Sequence, residues 1–199
     1  RLGLFNISFS GDSLIGGIAG ESYGEISNSK ADGKIICNTA SSGGFAGRNW
    51  GNISNSYSTV DVHDPYFSNI GGFVGVNTGT GMIDNCYSTG TIYLNGPGAV
   101  GPDVMGGFVG LNQGTIINSY STGNVENGRS ILGAFAGRNT GGTITNCYSS
   151  GGSDGSDDYI TLNTETFNPG LGDFTLSAWV KTPNNASNAR IFSAGTWAY

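Results

Sequence analysis

A reactive site in this chain would have to be assembled from few parts. There is one histidine, His63, and three cysteines, Cys37, Cys86 and Cys147. A Ser-His-Asp or Cys-His nucleophile would have to be built around His63, yet no oxyanion-hole or nucleophile-elbow pattern accompanies it. The run His63-Asp64-Pro65-Tyr66-Phe67 reads instead as a protruding connection carrying a solvated histidine. The thiols and the histidine share no metal-ligand spacing. Gly96-Pro97-Gly98-Ala99-Val100-Gly101 spells the letters of a dinucleotide-binding turn, but Pro102 follows directly and no βαβ unit surrounds it, so it reads as a loop. Carboxylates for acid–base work on a polysaccharide must be gathered on adjacent turns of chain. Asp32, Asp61, Asp84 and Glu126 fall at or near the ends of sequence repeats, in unlike surroundings. No catalytic, cofactor-binding or metal residue is assigned, and no cofactor is expected.

Recognition by aromatic rings is the chemistry that remains. Tyr57, Tyr87, Tyr120 and Tyr148 occupy equivalent positions in a repeated pattern, and Trp50 adds a further ring. Such a column can stack sugars or a partner protein, or its rings can simply pack on one another. The first copy carries Lys30 in the same slot. A slot that accepts lysine is not deep in a core, so the tyrosines are expected on a face partly in water.

What spaces these rings is a repeat. Copies start at Gly16, Gly43, Gly71, Gly106 and Gly133, a period of about 27 residues with one longer interval before the fourth. Each copy runs Gly-Gly, a large apolar residue, a small or branched one, Gly, a loop with Asn, Gly-x-Ile-x-Asn, a small residue, Tyr and Ser. Residues 1–11 read as the second half of a copy whose first half is missing. Short β-favouring runs between Gly, Asn and Ser signal strands and turns, and no segment holds a helical period. Two or three strands of 3–5 residues per copy fit one coil of a parallel β-solenoid, with coils about 4.8 Å apart and right-handed crossovers expected.

Stacking then assigns the columns. Ile26, Ile53, Ile83, Ile116 and Ile144 form one core ladder; Phe45, Phe73, Phe108 and Phe135, with Ile18, form another. Asn28, Asn55, Asn85, Asn118 and Asn146 are expected in left-handed conformation at a corner, because the isoleucine and the Ser or Cys three residues on both look buried. Cys86 and Cys147 lie two coils apart with Ser119 between, about 9–10 Å by the coil spacing. A disulfide needs less than about 7 Å, so three free, buried thiols are expected.

The pattern Gly-Gly-Phe-Val-Gly…Asn…Gly-x-Ile-x-Asn-Cys/Ser-Tyr-Ser-Thr-Gly resembles the GLUG repeat of large bacterial secreted and surface proteins, including adhesin-like proteins and IgA-specific metallopeptidases, where it lies outside the catalytic domain. The resemblance covers residues 1–152 and carries no catalytic residues. It implies an extracellular or cell-surface location, with carbohydrate or a host or cell-surface protein as partner.

From residue 153 the repeat gives way to an acidic linker, Ser153-Asp154-Gly155-Ser156-Asp157-Asp158, and then to an alternating strand pattern over Asp173–Lys181. Residues 159–195 resemble the opening of a laminin-G/concanavalin A-like jelly roll. In that family the opening strands pair with late strands that this sequence lacks, so 153–199 is expected to be an incomplete antiparallel fragment, less well packed than the solenoid. The chain opens inside a repeat and closes inside this second domain, so it reads as a segment of a longer protein.

A net charge of −6 without a basic cluster gives no footprint for nucleic acid. No apolar run approaches the 18 residues that would insert in a membrane. Three functions stay in competition: a rigid spacer or adhesion scaffold, a β-helix polysaccharide lyase or glycoside hydrolase fragment, and a self-associating structural protein with open solenoid ends.

Overall fold

The computed structural model describes residues 2–37, 41–64, 69–94, 104–127 and 131–152. The expected jelly-roll fragment and the Gly96–Gly101 loop lie outside these residues. The described chain is all-β, and its strands form four sheets in which every pairing is parallel.

Each coil visits the four sheets in turn. A glycine sheet runs through Ile15–Gly16, Ser42–Gly43, Asn69–Gly71, Val104–Gly106 and Ile131–Gly133. An asparagine sheet follows, through Ala19–Ser22, Ala46–Asn49, Val74–Asn77, Val109–Asn112 and Ala136–Asn139. An isoleucine sheet contains Glu25–Ser27, Asn52–Ser54, Met82–Asp84, Thr115–Ile117 and Thr143–Thr145. The tyrosine sheet closes the coil with Lys30–Cys37, Tyr57–Asp64, Tyr87–Ser88 and Ile92–Leu94, Tyr120–Ser121 and Val125–Glu126, and Tyr148–Ser149. The expectation of two or three strands per coil is therefore too low. Strands of two residues between glycines leave no run long enough to read in advance.

Neighbours in a sheet are residues one repeat apart. Ile26, Ile53, Ile83, Ile116 and Ile144 pair in a single file. Phe45, Phe73, Phe108 and Phe135 stack with centroids 4.7, 4.9 and 4.8 Å apart. The inner members of both files are fully buried, whereas Ile26 and Ile144 at the ends are only partly so. Each fully buried side chain of this size contributes about 1.5–3 kcal/mol. Gly3–Gly11 pairs with Lys30–Cys37 in the tyrosine sheet, as the half-copy reading of residues 1–11 requires.

The glycine pair is a spacing requirement. A Cβ on Gly44, Gly72 or Gly107 would collide with the carbonyl oxygen of the next coil, at Gly72, Gly107 and Ala134 respectively. The fifth copy carries Ala134 in that column, and no described coil lies beyond it.

Candidate functional site

The tyrosine column is set by the corner before it. Asn28, Asn55, Asn85, Asn118 and Asn146 all have φ between 48° and 53°. That left-handed step, which asparagine tolerates because its amide can bond locally, turns the chain between the isoleucine and tyrosine sheets. The corner amides form a partial outer ladder, with Asn85 Nδ2 donating to Asn55 Oδ1 at 2.6 Å and Asn118 Nδ2 to Asp84 Oδ1 at 2.9 Å. The next residue points inward. Ser29, Ser56 and Ser119 each donate Oγ to the carbonyl two residues earlier, and the backbone N–H groups of Ser29 and Cys86 donate to the hydroxyls of Ser56 and Ser119 one coil on.

The residue after that points outward. Tyr57, Tyr87, Tyr120 and Tyr148 lie one coil apart in register. Their rings stack at 4.6, 5.0 and 5.1 Å with interplanar angles of 4–7°. Ring faces are covered by neighbouring rings and the edges meet water, so the mutual-packing reading describes the interior of the stack. Desolvation, with Tyr57 and Tyr120 on either side, raises the Tyr87 phenol above its ordinary range. Tyr148 at the end of the described stack is 60% exposed.

At the other end the column changes character. Gly3 is the backbone partner of Lys30, and the Phe5 ring leans over Gly3 to take the missing place. Lys30 Nζ stands 3.7 Å from the Phe5 centroid and 5.9 Å from that of Tyr57, a cation between two π faces. A cleft of about 240 Å³ opens here, lined by Leu2, Asn28, Lys30, Asn55 and Tyr57 among others.

Trp50 does not join this column. It stacks on Tyr23 at 5.9 Å, at the opposite end of the short isoleucine-sheet strand from Tyr57. Tyr23 is 69% exposed and donates to Glu21, which also pairs with Arg48 at 3.4 Å. Neither Tyr23 nor Phe5 was singled out in the sequence, because each belongs to one coil only and so to no column.

A second asparagine file lies inside. Asn49, Asn77, Asn112 and Asn139 end the asparagine-sheet strands, and each Nδ2 donates to the next Oδ1 at 2.9, 2.9 and 2.8 Å. They also close local turns through Gly51, Gly81, Gly114 and Gly142. The sequence showed these residues only as loop asparagines.

Other candidates fall into structural roles. His63 is not in a loop: it lies within Tyr57–Asp64 and stacks on Tyr93 at 4.6 Å. Desolvation and Lys34 lower its pKa, while Asp61 opposes them. The acids belong to strands rather than to coil ends. Asp32 accepts from Thr59 Oγ1 at 2.7 Å, Asp61 from the Thr91 amide at 2.9 Å, and Asp84 from Asn118. The register pairs none of Asp32, Asp61, Asp84 and Glu126 with another of the four.

All three thiols are free, but Cys147 is only partly buried, because its coil lacks a described neighbour on one side. Burial pushes the Cys86 thiol up to about 12, far from the thiolate a nucleophile needs. Among the described residues no group of three or more His, Cys, Asp or Glu could hold a metal, and no helix is long and apolar enough to cross a membrane.

Comparison with protein families places the GLUG motif on residues 11–36, 38–62, 68–93, 104–126 and 128–153. None of the curated proteins matches the chain.

Proposed function

Because the chain belongs to the GLUG-motif family and its repeats wind into a β-solenoid scaffold, we propose that it is a non-catalytic, extracellular segment of a larger bacterial surface or secreted protein, holding an adhesive module at a fixed distance. The observation that carries this reading is the unbroken register of the isoleucine, phenylalanine and inner asparagine files from coil to coil. Side chains stacked on identical neighbours along a continuous hydrogen-bonded core make a segment that resists bending. The partner class is carbohydrate or a host or cell-surface protein, engaged by the module that the coils carry.

The enzyme alternative draws no support from the site. Asp32, Asp61 and Asp84 are each hydrogen-bonded to an adjacent coil, and the strand register pairs none of these acids or Glu126 with another of the four. Two assays test the reading. Incubating the 199-residue chain with a polysaccharide panel should release no reducing ends or unsaturated products. Displaying the longer parent chain with the five coils deleted should weaken adhesion to glycan- or protein-coated surfaces, and an unrelated solenoid of equal length should restore it. Turnover in the first assay would revive the lyase or hydrolase reading, and deletion without effect in the second would remove the spacer role.

A further inference from the structure

The tyrosine file differs from the others in being both oxidisable and open to water. The phenylalanine file is buried and carries no hydroxyl. Tyr23 stacks on an indole and Tyr93 on an imidazole, so among the described residues only Tyr57, Tyr87, Tyr120 and Tyr148 set phenol against phenol. Their centroids lie 4.6–5.1 Å apart, close to the spacing of about 4.8 Å between the strands that carry them. With interplanar angles of 4–7° the rings therefore stack with little sideways offset, and each carbon beside a phenol oxygen lies over its counterpart on the next coil. The cysteines offer no such link. Cys86 and Cys147 precede Tyr87 and Tyr148, with the coil of Tyr120 between them, and all three thiols are free.

We propose that this file is a site of oxidative cross-linking, in which a haem peroxidase supplied with hydrogen peroxide joins tyrosines of adjacent coils into dityrosine. Each phenol gives up an electron and a proton to become a phenoxyl radical, whose unpaired electron is shared with the Cε carbons beside the oxygen. Adjacent radicals pair these electrons in a C–C bond between one Cε of each ring. Each ring then passes the hydrogen on its linked carbon to its own oxygen, which restores both phenols. The electrons and protons released by the pair reduce one hydrogen peroxide to water. Tyr57, Tyr87 and Tyr120 are partly buried and Tyr148 is 60% exposed, so the outer edges of the rings are open to a proton acceptor in solvent. The rings hinge at Cβ, so their phenol ends can tilt together while the paired strands hold the inner ends in register. Each link closes a loop of one whole coil and restrains the unfolded chain as a disulfide of the same span does.

This cross-link goes beyond the scaffold reading and does not depend on it. Coils that are never oxidised still act as a spacer, and coils that take the link need carry no module. The test treats the dilute 199-residue chain with a haem peroxidase and hydrogen peroxide, then digests the monomer band of a denaturing gel for mass spectrometry. Linked peptides should join Tyr57 to Tyr87, Tyr87 to Tyr120 and Tyr120 to Tyr148, each lighter by the hydrogens lost. Held in contact, these pairs should exceed any pair containing Tyr23, Tyr66, Tyr93, Tyr159 or Tyr199 by about tenfold or more. Tyr87→Phe combined with Tyr120→Phe keeps every ring in the stack but removes a phenol from each adjacent pair, so these links should be lost. The urea midpoint of the linked parent should rise above that of the untreated chain, and the same treatment should give the double variant no such rise. No link, links spread evenly over the tyrosines, links found only between chains, a yield undiminished in the double variant, or a linked parent with an unchanged midpoint would each overturn the proposal.

Discussion

Replacing Asn112 by alanine removes the middle of the inner asparagine file. Its Nδ2 donates to Asn139 Oδ1 at 2.8 Å and to the Gly114 carbonyl at 3.2 Å, and its Oδ1 accepts from Asn77 Nδ2 at 2.9 Å. All three bonds are buried, and Asn112 itself is 0% exposed. A buried hydrogen bond contributes about 1 kcal/mol net, and a stranded polar partner costs about 1–3 kcal/mol more. Asn77 Nδ2 keeps the Gly81 carbonyl at 3.2 Å, so the main stranded atom is Asn139 Oδ1. The expected loss is about 4–6 kcal/mol, read as a lower urea midpoint by far-ultraviolet circular dichroism. The terminal Asn139→Ala loses one ladder bond and one turn bond near the end of the stack, and should cost about half as much. Asn77→Ala combined with Asn112→Ala should be non-additive by about 0.5 kcal/mol or more, because the two share a bond. A loss below about 1 kcal/mol for Asn112→Ala, or strict additivity of the pair, would show that the file is a by-product of turn geometry rather than a stabilising element.

Other perturbations follow from the same stacking. Ser42 is 0% exposed with an unpartnered hydroxyl in the column that holds Ile15, Ile70, Met105 and Leu132, so Ser42→Val should stabilise by about 1–2 kcal/mol in urea melts. Gly107→Ala drives a Cβ into the Ala134 carbonyl and should cost about 3 kcal/mol or more, whereas Ala134→Gly should change stability by only about 1 kcal/mol. His63 has a folded-state pKa below its ordinary 6.5, so below that pH the unfolded chain takes up the proton first. Its contribution is fully present above the unfolded value and is lost as pH falls through the folded one. The urea midpoint should therefore drop between pH 7 and 5 by less in His63→Gln than in the parent, and an identical drop in both would exclude His63.

The period and the columns were legible in the sequence for a simple physical reason. A parallel stack puts each residue on the one a repeat later, so the selection for a good neighbour is written as a recurrence of Ile, Phe, Asn and Tyr. The left-handed corner was legible too, since a burial conflict between Ile and Ser or Cys had to be resolved by a turn. Features confined to one coil were not. The Phe5–Lys30–Tyr57 sandwich and the Tyr23–Trp50 stack depend on which way a single ring turns, and no recurrence records that.

The two asparagine files divide the matter most clearly. In the sequence both are columns of Asn next to turns, and only the corner file was given a role. The fold sends one outward on a left-handed residue and the other inward at the end of a strand. There, exclusion of water makes each amide depend on the next coil for its hydrogen bond. Recurrence thus determined what stacks on what, and the closing of the coil decided which side of each column meets water.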